Sequence, residues 1–413
     1  MINQRKFFID DGYITNLNFI LLIFLPISLL IGSAVINFIV IVFDIFFLTE
    51  IIKKRERHIF KEKHIYILFI IWFYLIINSF IGIDFENSII RSVGFIRFII
   101  LTIGINYYFR KFYNYFVNNI IGVWSILFII ITIDLIFETI VGFNLIGNVS
   151  PDRGRLSSFL GEELKIGNYY FGFILITLSY ILIKFKNNYI LFIFSIIFMI
   201  VALLIGERSN FLKMLFIIPF FLFFFQNKYY LKKILVILIS LTFIFSIIYS
   251  NQNYKTRFWE MLFQPLIQSS MNPIETLKKQ PYGAHYDTAL KIFVDNKFFG
   301  VGLKNFRNKS GDEKYKNEEF IFTEGRQTTH PHQIHFEILS ETGLIGYFLF
   351  SLFFYFSISN FIKAYVNSKN LLQLSSLLFI VATLIPLLPS GSFFTTYSAA
   401  IFWTNYGLLI YKK

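Results

Sequence analysis

Uncharged apolar runs of about 18 residues, the length of a membrane-crossing helix, recur along almost the whole of this chain. A backbone inside hydrocarbon has no water to bind its N–H and C=O groups, so only helices and closed barrels are open to it. The runs are continuously apolar rather than alternating, which selects helices. Only 15% of the 413 residues are charged and 56% are hydrophobic, with a mean hydropathy of +0.62. A soluble domain of this size carries far more charge.

The runs predict twelve spans, at about 17–32, 33–52, 65–83, 89–109, 115–141, 166–183, 189–205, 211–226, 234–250, 336–364, 372–388 and 398–411. The net charge of +13 invites a nucleic-acid reading, but the cations sit in short junctions between runs. Arg5 and Lys6, the Lys53-Lys54-Arg55 cluster, Arg110-Lys111, Lys184, Lys232-Lys233, Lys369 and Lys412-Lys413 all fall on one side if the runs alternate. That is the bias of cytoplasmic loops, so both termini are expected inside. The loops at 142–165 and 251–334 then fall outside. The first two runs follow each other directly and are both expected to be retained. With no cysteine in the chain, disulfide and thiolate chemistry is excluded. The 56 Phe, with abundant Ile, Asn and Lys, look like coding bias and carry no functional reading.

Three parts are expected: helices one to nine over 1–250, a large outer loop over 251–335, and helices ten to twelve over 336–413. The long loop has structure of its own. Ala289, Ile292 and Phe293 recur at helical spacing before Asp295-Asn296 and Gly300-Val301-Gly302. A small, mostly helical cap is expected there, because a structureless loop of that length is uncommon in a working fold.

Three of the six histidines lie in Thr329-His330-Pro331-His332-Gln333-Ile334-His335, against the edge of span ten. Pro331 suits a first helical turn, which would put His332 and His335 on one helical face. Gly343 and Gly346 follow, where backbones can approach closely. A solvated loop explains any single histidine as well as chemistry does. Zinc needs three or four well-placed ligands; His330, His332 and His335 have no carboxylate beside them to complete a set, so no metal is expected.

This cluster resembles the O-antigen ligase and polymerase family. Its pattern runs His, then Asn, Ser or Gln, nine residues, Gly, two residues, then Gly, Thr or Tyr. His332-Gln333, the nine residues from Ile334 to Thr342, and Gly343-Leu344-Ile345-Gly346 fit it throughout. Asp295-Asn296-Lys297-Phe298-Phe299-Gly300-Val301-Gly302 is similar to the same family, with Lys297 where a proline is usual. The likeness is strongest over 190–350.

The resemblance implies an all-α, GT-C-like integral membrane fold with a large helical periplasmic loop between helices nine and ten. It implies a metal-independent, inverting glycosyltransferase of the bacterial inner membrane that needs no cofactor. The donor would be an undecaprenyl-diphosphate-linked glycan, and the acceptor a hydroxyl of lipid A-core or of another lipid-linked repeat unit. His332 would be the general base, since imidazole titrates near neutral pH. His330 and His335 would support it.

Arg208, in Gly206-Glu207-Arg208-Ser209-Asn210, ends a membrane helix and by itself reads as an interfacial arginine. By resemblance it would hold the donor diphosphate, although the family usually has a Ser-Arg pair here. Arg155, within Asp152-Arg153-Gly154-Arg155, would be a second donor contact, Arg153 fitting a solvated turn. The arginine that ligases place before Ala289-Leu290 is absent; Tyr282 and His285 stand there. Arg257 and Arg326 are candidates for its role, with Arg307 in support. Arg91 and Arg97 lie inside span four, where charge is expensive and functional by default. They could line a headgroup cavity or pair with Asp134 or Glu138.

No phosphate-binding glycine loop or dinucleotide fingerprint is present. The Thr-His-Pro-His wording and the missing loop arginine lean toward polymerisation over ligation. The alternative is a multi-pass transporter or flippase of lipid-linked glycans. Such proteins show internal repeats, and no second half matches the large loop here.

Overall fold

The structure, a computed structural model, describes residues 11–152, 154–226, 228–268 and 272–409. Arg5, Lys6, Arg153 and Lys412-Lys413 lie outside the described residues. Among the described residues the regular elements are all helical. In chain order the principal ones begin with α1 (Tyr13–Ile31), α2 (Ser33–Lys54), α3 (Lys63–Ile81), α4 (Phe85–Lys111) and α5 (Tyr113–Val141). They continue with α6 (Ile166–Phe185), α7 (Asn188–Leu204), α8 (Arg208–Phe225) and α9 (Tyr230–Ser250). After the long loop, which carries α10 (Pro281–Asp295), come α11 (Ile334–Ser368), α12 (Leu371–Thr383) and α13 (Thr396–Leu409).

Nine of these, α1–α6, α8, α9 and α11, are long and apolar enough to cross a membrane. Apolar helices also occupy the other three expected positions, but α7, α12 and α13 are shorter. Span eleven was expected to reach residue 388, yet α12 stops at Thr383. Pro386 lacks an N–H and pushes the residue before it out of the helical region. Residues Leu384–Ser390 therefore leave the helix and cross the top of the bundle.

The core is built around α6, whose span is 89% buried. It packs against α5, α7, α8, α12 and α13. The outer helices turn Phe24, Phe38, Phe73, Leu238 and Phe243 outward, as a lipid-facing surface requires. At one end of the bundle Lys54 pairs with Asp11 and Glu50, Lys111 with Glu56 and Arg110 with Glu62. The loops 142–165 and 251–333 gather at the other end.

The long loop is tied to the bundle by backbone contacts at a break in α11. Gly343 is non-helical, with φ 65° and ψ −168°. The segment Lys297–Gly302 lies in that break. Leu344 N–H donates to Lys297 O at 2.8 Å, Val301 N–H to Ser340 O at 3.0 Å and Gly302 N–H to Glu341 O at 2.9 Å. Asn78 Nδ2 and Tyr74 Oη on α3 donate to Phe299 O and Thr342 O, each at 2.5 Å. The two glycine-containing motifs of the sequence thus meet. A Cβ on Gly343 would lie 2.4 Å from the Phe298 backbone, and one on Gly300 2.5 Å from that of Glu341. Gly300→Ala or Gly343→Ala should therefore each lower stability by at least ~2 kcal/mol, since strain and collision add. Thermal unfolding of the detergent-solubilised chain measures this; an unchanged midpoint would show that the break tolerates a side chain.

Candidate functional site

Gln333 decides where α11 begins and what His332 can do. Its side-chain oxygen accepts from His335 N–H at 2.7 Å and Phe336 N–H at 3.1 Å, capping the helix. His332 therefore sits outside the helix with φ 56°. The expected shared helical face of His332 and His335 does not form, because the cap turns the chain between them. His335 instead has Nε2 2.9 Å from Leu384 O and Nδ1 3.3 Å from Tyr347 Oη.

His332 has aromatic and imidazole neighbours. Its ring centre is 4.1 Å from that of His330, 5.2 Å from His285 and 5.7 Å from Tyr282. Tyr282 and His285 rise from the first turns of α10. Burial, and after it the neighbouring His285, pushes His332 down to about 4. Burial and then His332 push His330 down to about 3. Both rings are thus neutral in the physiological range. Among the described residues no three His, Asp or Glu side chains are arranged to hold a metal ion.

Beside Tyr282 opens a cavity of about 770 Å³. One part of its wall is cationic: Arg155, Arg208 and Arg257 all line it. The rest is largely apolar, including Leu212, Met261, Leu277 and Leu388. Arg257 is carried on the π-helix Lys255–Phe263, which Phe258 anchors by an edge contact with Phe211 at 5.1 Å. Its Nε donates to Gly206 O at 3.1 Å, and Nη1 lies 3.3 Å from Asp152. Burial lowers the Arg257 pKa, Asp152 opposes that, and the nearby Arg155 and Arg208 charges add to it. Arg155 donates to Leu164 O at 2.8 Å and lies 3.5 Å from Glu207. Arg208 reaches Met261 O at 3.3 Å and makes no ion pair among the described residues. The cavity mouth thus offers three guanidinium groups against two carboxylates.

Other expected site residues lie elsewhere. Arg326 is 3% exposed and binds Thr323 O, Gly311 O and Glu313 inside the long loop. It does not line the cavity, and these bonds hold the long loop together. Arg97 donates to Gly94 O at 2.6 Å, lies over Phe98 and shares its surroundings with Asp44. Neither Arg91 nor Arg97 pairs with Asp134 or Glu138. Those carboxylates accept backbone N–H groups instead, Asp134 from Leu145 and Glu138 from Ser157 and Ser158, and so fold the 142–165 loop that presents Arg155. Arg307 is exposed and outside the cavity.

Two features escaped the sequence reading. Segment Leu384–Ser390 straps the site: Ser390 N–H donates to His332 O at 2.7 Å, and Tyr286 Oη donates to Leu387 O at 3.2 Å. Lys213, buried inside α8, donates to Pro389 O at 3.0 Å beside Ser209. A lysine within an apolar span was the available signal. Glu207 accepts from Gly167 N–H at 3.0 Å and Asn210 at 2.7 Å. Burial raises its pKa, and Arg155 opposes that rise.

Long apolar helical spans define a membrane protein, and its cavity combines a cationic wall with an adjoining histidine stack. Residues 190–351 match the family model described as O-antigen ligase. Over that stretch the chain is similar to the O-antigen ligase family. No curated protein matches the chain. One consequence of the site is directly measurable. In ¹⁵N-histidine-labelled protein, His330 and His332 should remain neutral at about pH 5.5, where a solvated imidazole is mostly charged. Two fully protonated rings there, assigned by His330→Gln and His332→Gln, would contradict the burial described.

Proposed function

We propose that this chain moves a polyprenyl-diphosphate-linked glycan onto a sugar hydroxyl at the outer face of the bacterial inner membrane, with polymerisation of repeat units favoured over ligation to lipid A-core. The observation that carries the reading is one cavity with three arginines on a largely apolar wall, adjoined through Tyr282 by His332. In this reading the protein has twelve spans with both termini in the cytoplasm. Residues 251–335 form the outer catalytic loop, and the basic end of the bundle is the cytoplasmic one, as the positive-inside bias requires.

Arg155, Arg208 and Arg257 bind the diphosphate oxygens; guanidinium offers the planar donor fork that suits them. The apolar wall takes the first part of the lipid tail. The acceptor oxygen attacks the anomeric carbon as the bond from that carbon to the phosphate oxygen breaks. The bonding pair leaves with the diphosphate, whose growing charge the arginines stabilise, and configuration inverts. The hydroxyl proton passes to His332. A neutral imidazole is ready to accept it, but one held down to about 4 is a weak base. The arriving diphosphate brings negative charge close to the ring and raises its proton affinity. Donor binding thereby prepares the base. Tyr282 and His285 occupy the place of the missing loop arginine and set the position of the His332 ring. The strap and Lys213 hold the backbone behind it.

His332→Ala should insert normally and lose about 10²–10⁴ of glycan transfer, the usual worth of general-base help; full transfer by this variant would sink the assignment. For the wild-type protein, kcat/KM should be level through neutral pH and fall only as the free imidazole becomes protonated, toward about 4. A limb near the ordinary histidine value would point to a different base. Deleting the gene separates the two transfer types: a single-repeat band on a surface-glycan gel means polymerase, and loss of all polymer from the lipopolysaccharide means ligase.

A further inference from the structure

A second cationic cluster lies outside the arginine-lined cavity. Ser88 and Arg91 are three residues apart on α4 and share a face. Ser88 Oγ donates to Leu303 O at 2.8 Å and accepts from Asn305 Nδ2 at 3.0 Å. These bonds place Lys304 and, one turn on, Arg307 beside Arg91. Among the described residues none of the three makes an ion pair. Glu341, whose charge acts on Lys304, is turned to the backbone beneath them, accepting from Phe306 N–H at 3.3 Å and from Lys304 N–H.

Two further observations mark the cluster. Lys304 holds φ at 64°, a left-handed conformation that is costly for a residue with a side chain. Like charges gathered without an ion pair among the described residues also repel, and Glu341 offsets this only in part. Burial, and then Arg91 and Arg307, push the Lys304 ammonium down to about 8. An incoming anion would relieve that repulsion. Arg307 lies close enough to His330 to act on its charge, and His330 stacks on His332. The run of neighbours is therefore arginine cavity, Tyr282, His332, His330, then this cluster.

We propose that Arg91, Lys304 and Arg307 form a second anion site that holds a phosphate or carboxylate of the acceptor glycan, so that His332 lies between two anionic substrates. This rests on the transferase reading above. It requires an acceptor that bears its own anionic group close to the reacting hydroxyl. It gives Arg307 a part in acceptor binding rather than donor binding.

The test is equilibrium binding of inorganic diphosphate to the full chain in phosphatidylcholine nanodiscs. Two sites are expected. Arg208→Ala with Arg257→Ala should remove one, and Lys304→Gln with Arg307→Gln the other. In membrane transfer assays the Lys304→Gln, Arg307→Gln variant should need about tenfold or more acceptor for half-maximal rate, with the donor requirement unchanged, the loss expected for hydrogen bonds to a charged partner. A single site in the wild type, or an unchanged acceptor requirement, overturns the proposal. So does loss of the second site when phosphatidylglycerol replaces phosphatidylcholine, because a bilayer headgroup would then be the occupant. If the cavity variant keeps both sites while the Lys304 and Arg307 variant loses one, the donor reading fails and the second site stands.

Discussion

The break in α11 at Gly343 governs much of what lies above the membrane. A long apolar helix that loses its helical geometry frees backbone groups, and at the edge of hydrocarbon those groups need partners. Lys297–Gly302 supplies them, bonding Ser340, Glu341, Leu344 and Ile345 across the gap. Asn78 and Tyr74 close the same junction from α3. The loop is thereby registered on the bundle to within one residue. Everything it carries takes its position from that register, including α10 with Tyr282 and His285, and Lys304 with Arg307.

The site depends on a balance of burial against charge. The histidine stack is half-buried, which favours its neutral form, and the arginines beside the cavity are only partly matched by carboxylates. Such a surface is poor at holding a neutral apolar molecule and well suited to one with an anionic head and an apolar tail. The carboxylates that could have neutralised it are directed elsewhere: Asp134 and Glu138 to loop amides, Glu337 to Phe393 N–H at 2.7 Å and to Ser392, and Glu341 to the 304–306 backbone. Buried acids thus act as scaffold, while the exposed balance stays positive. The same carboxylates explain why Arg91 and Arg97 find no partner in α5.

The helical membrane class, the apolar segments and the histidine-to-glycine motif were all legible in the chain, because each depends on residues close together in sequence. Apolar length reports hydrocarbon thickness, and a motif of fixed spacing reports one local piece of backbone. Arg155 and Arg208, singled out through the resemblance, both line the cavity, and the 295–302 segment meets the break in α11. What spacing could not give was which arginines converge. Arg257 reaches the cavity only because Phe258 and Tyr254 anchor its helix, Tyr254 through Leu204 O at 3.0 Å. Arg326, with similar sequence credentials, is consumed by its own loop.

Sequence by itself determined that this chain lives in a membrane, where its helices fall and which short motif abuts the last large loop, since hydrophobic length and local spacing are one-dimensional properties. Tertiary structure decided the conformation of His332, the strap formed where α12 ends early, the role of buried Lys213 and the sorting of the arginines into cavity, scaffold and second cluster. Those outcomes depend on which carbonyls and carboxylates from distant segments arrive first to satisfy each donor, and no pattern along a single stretch records that competition.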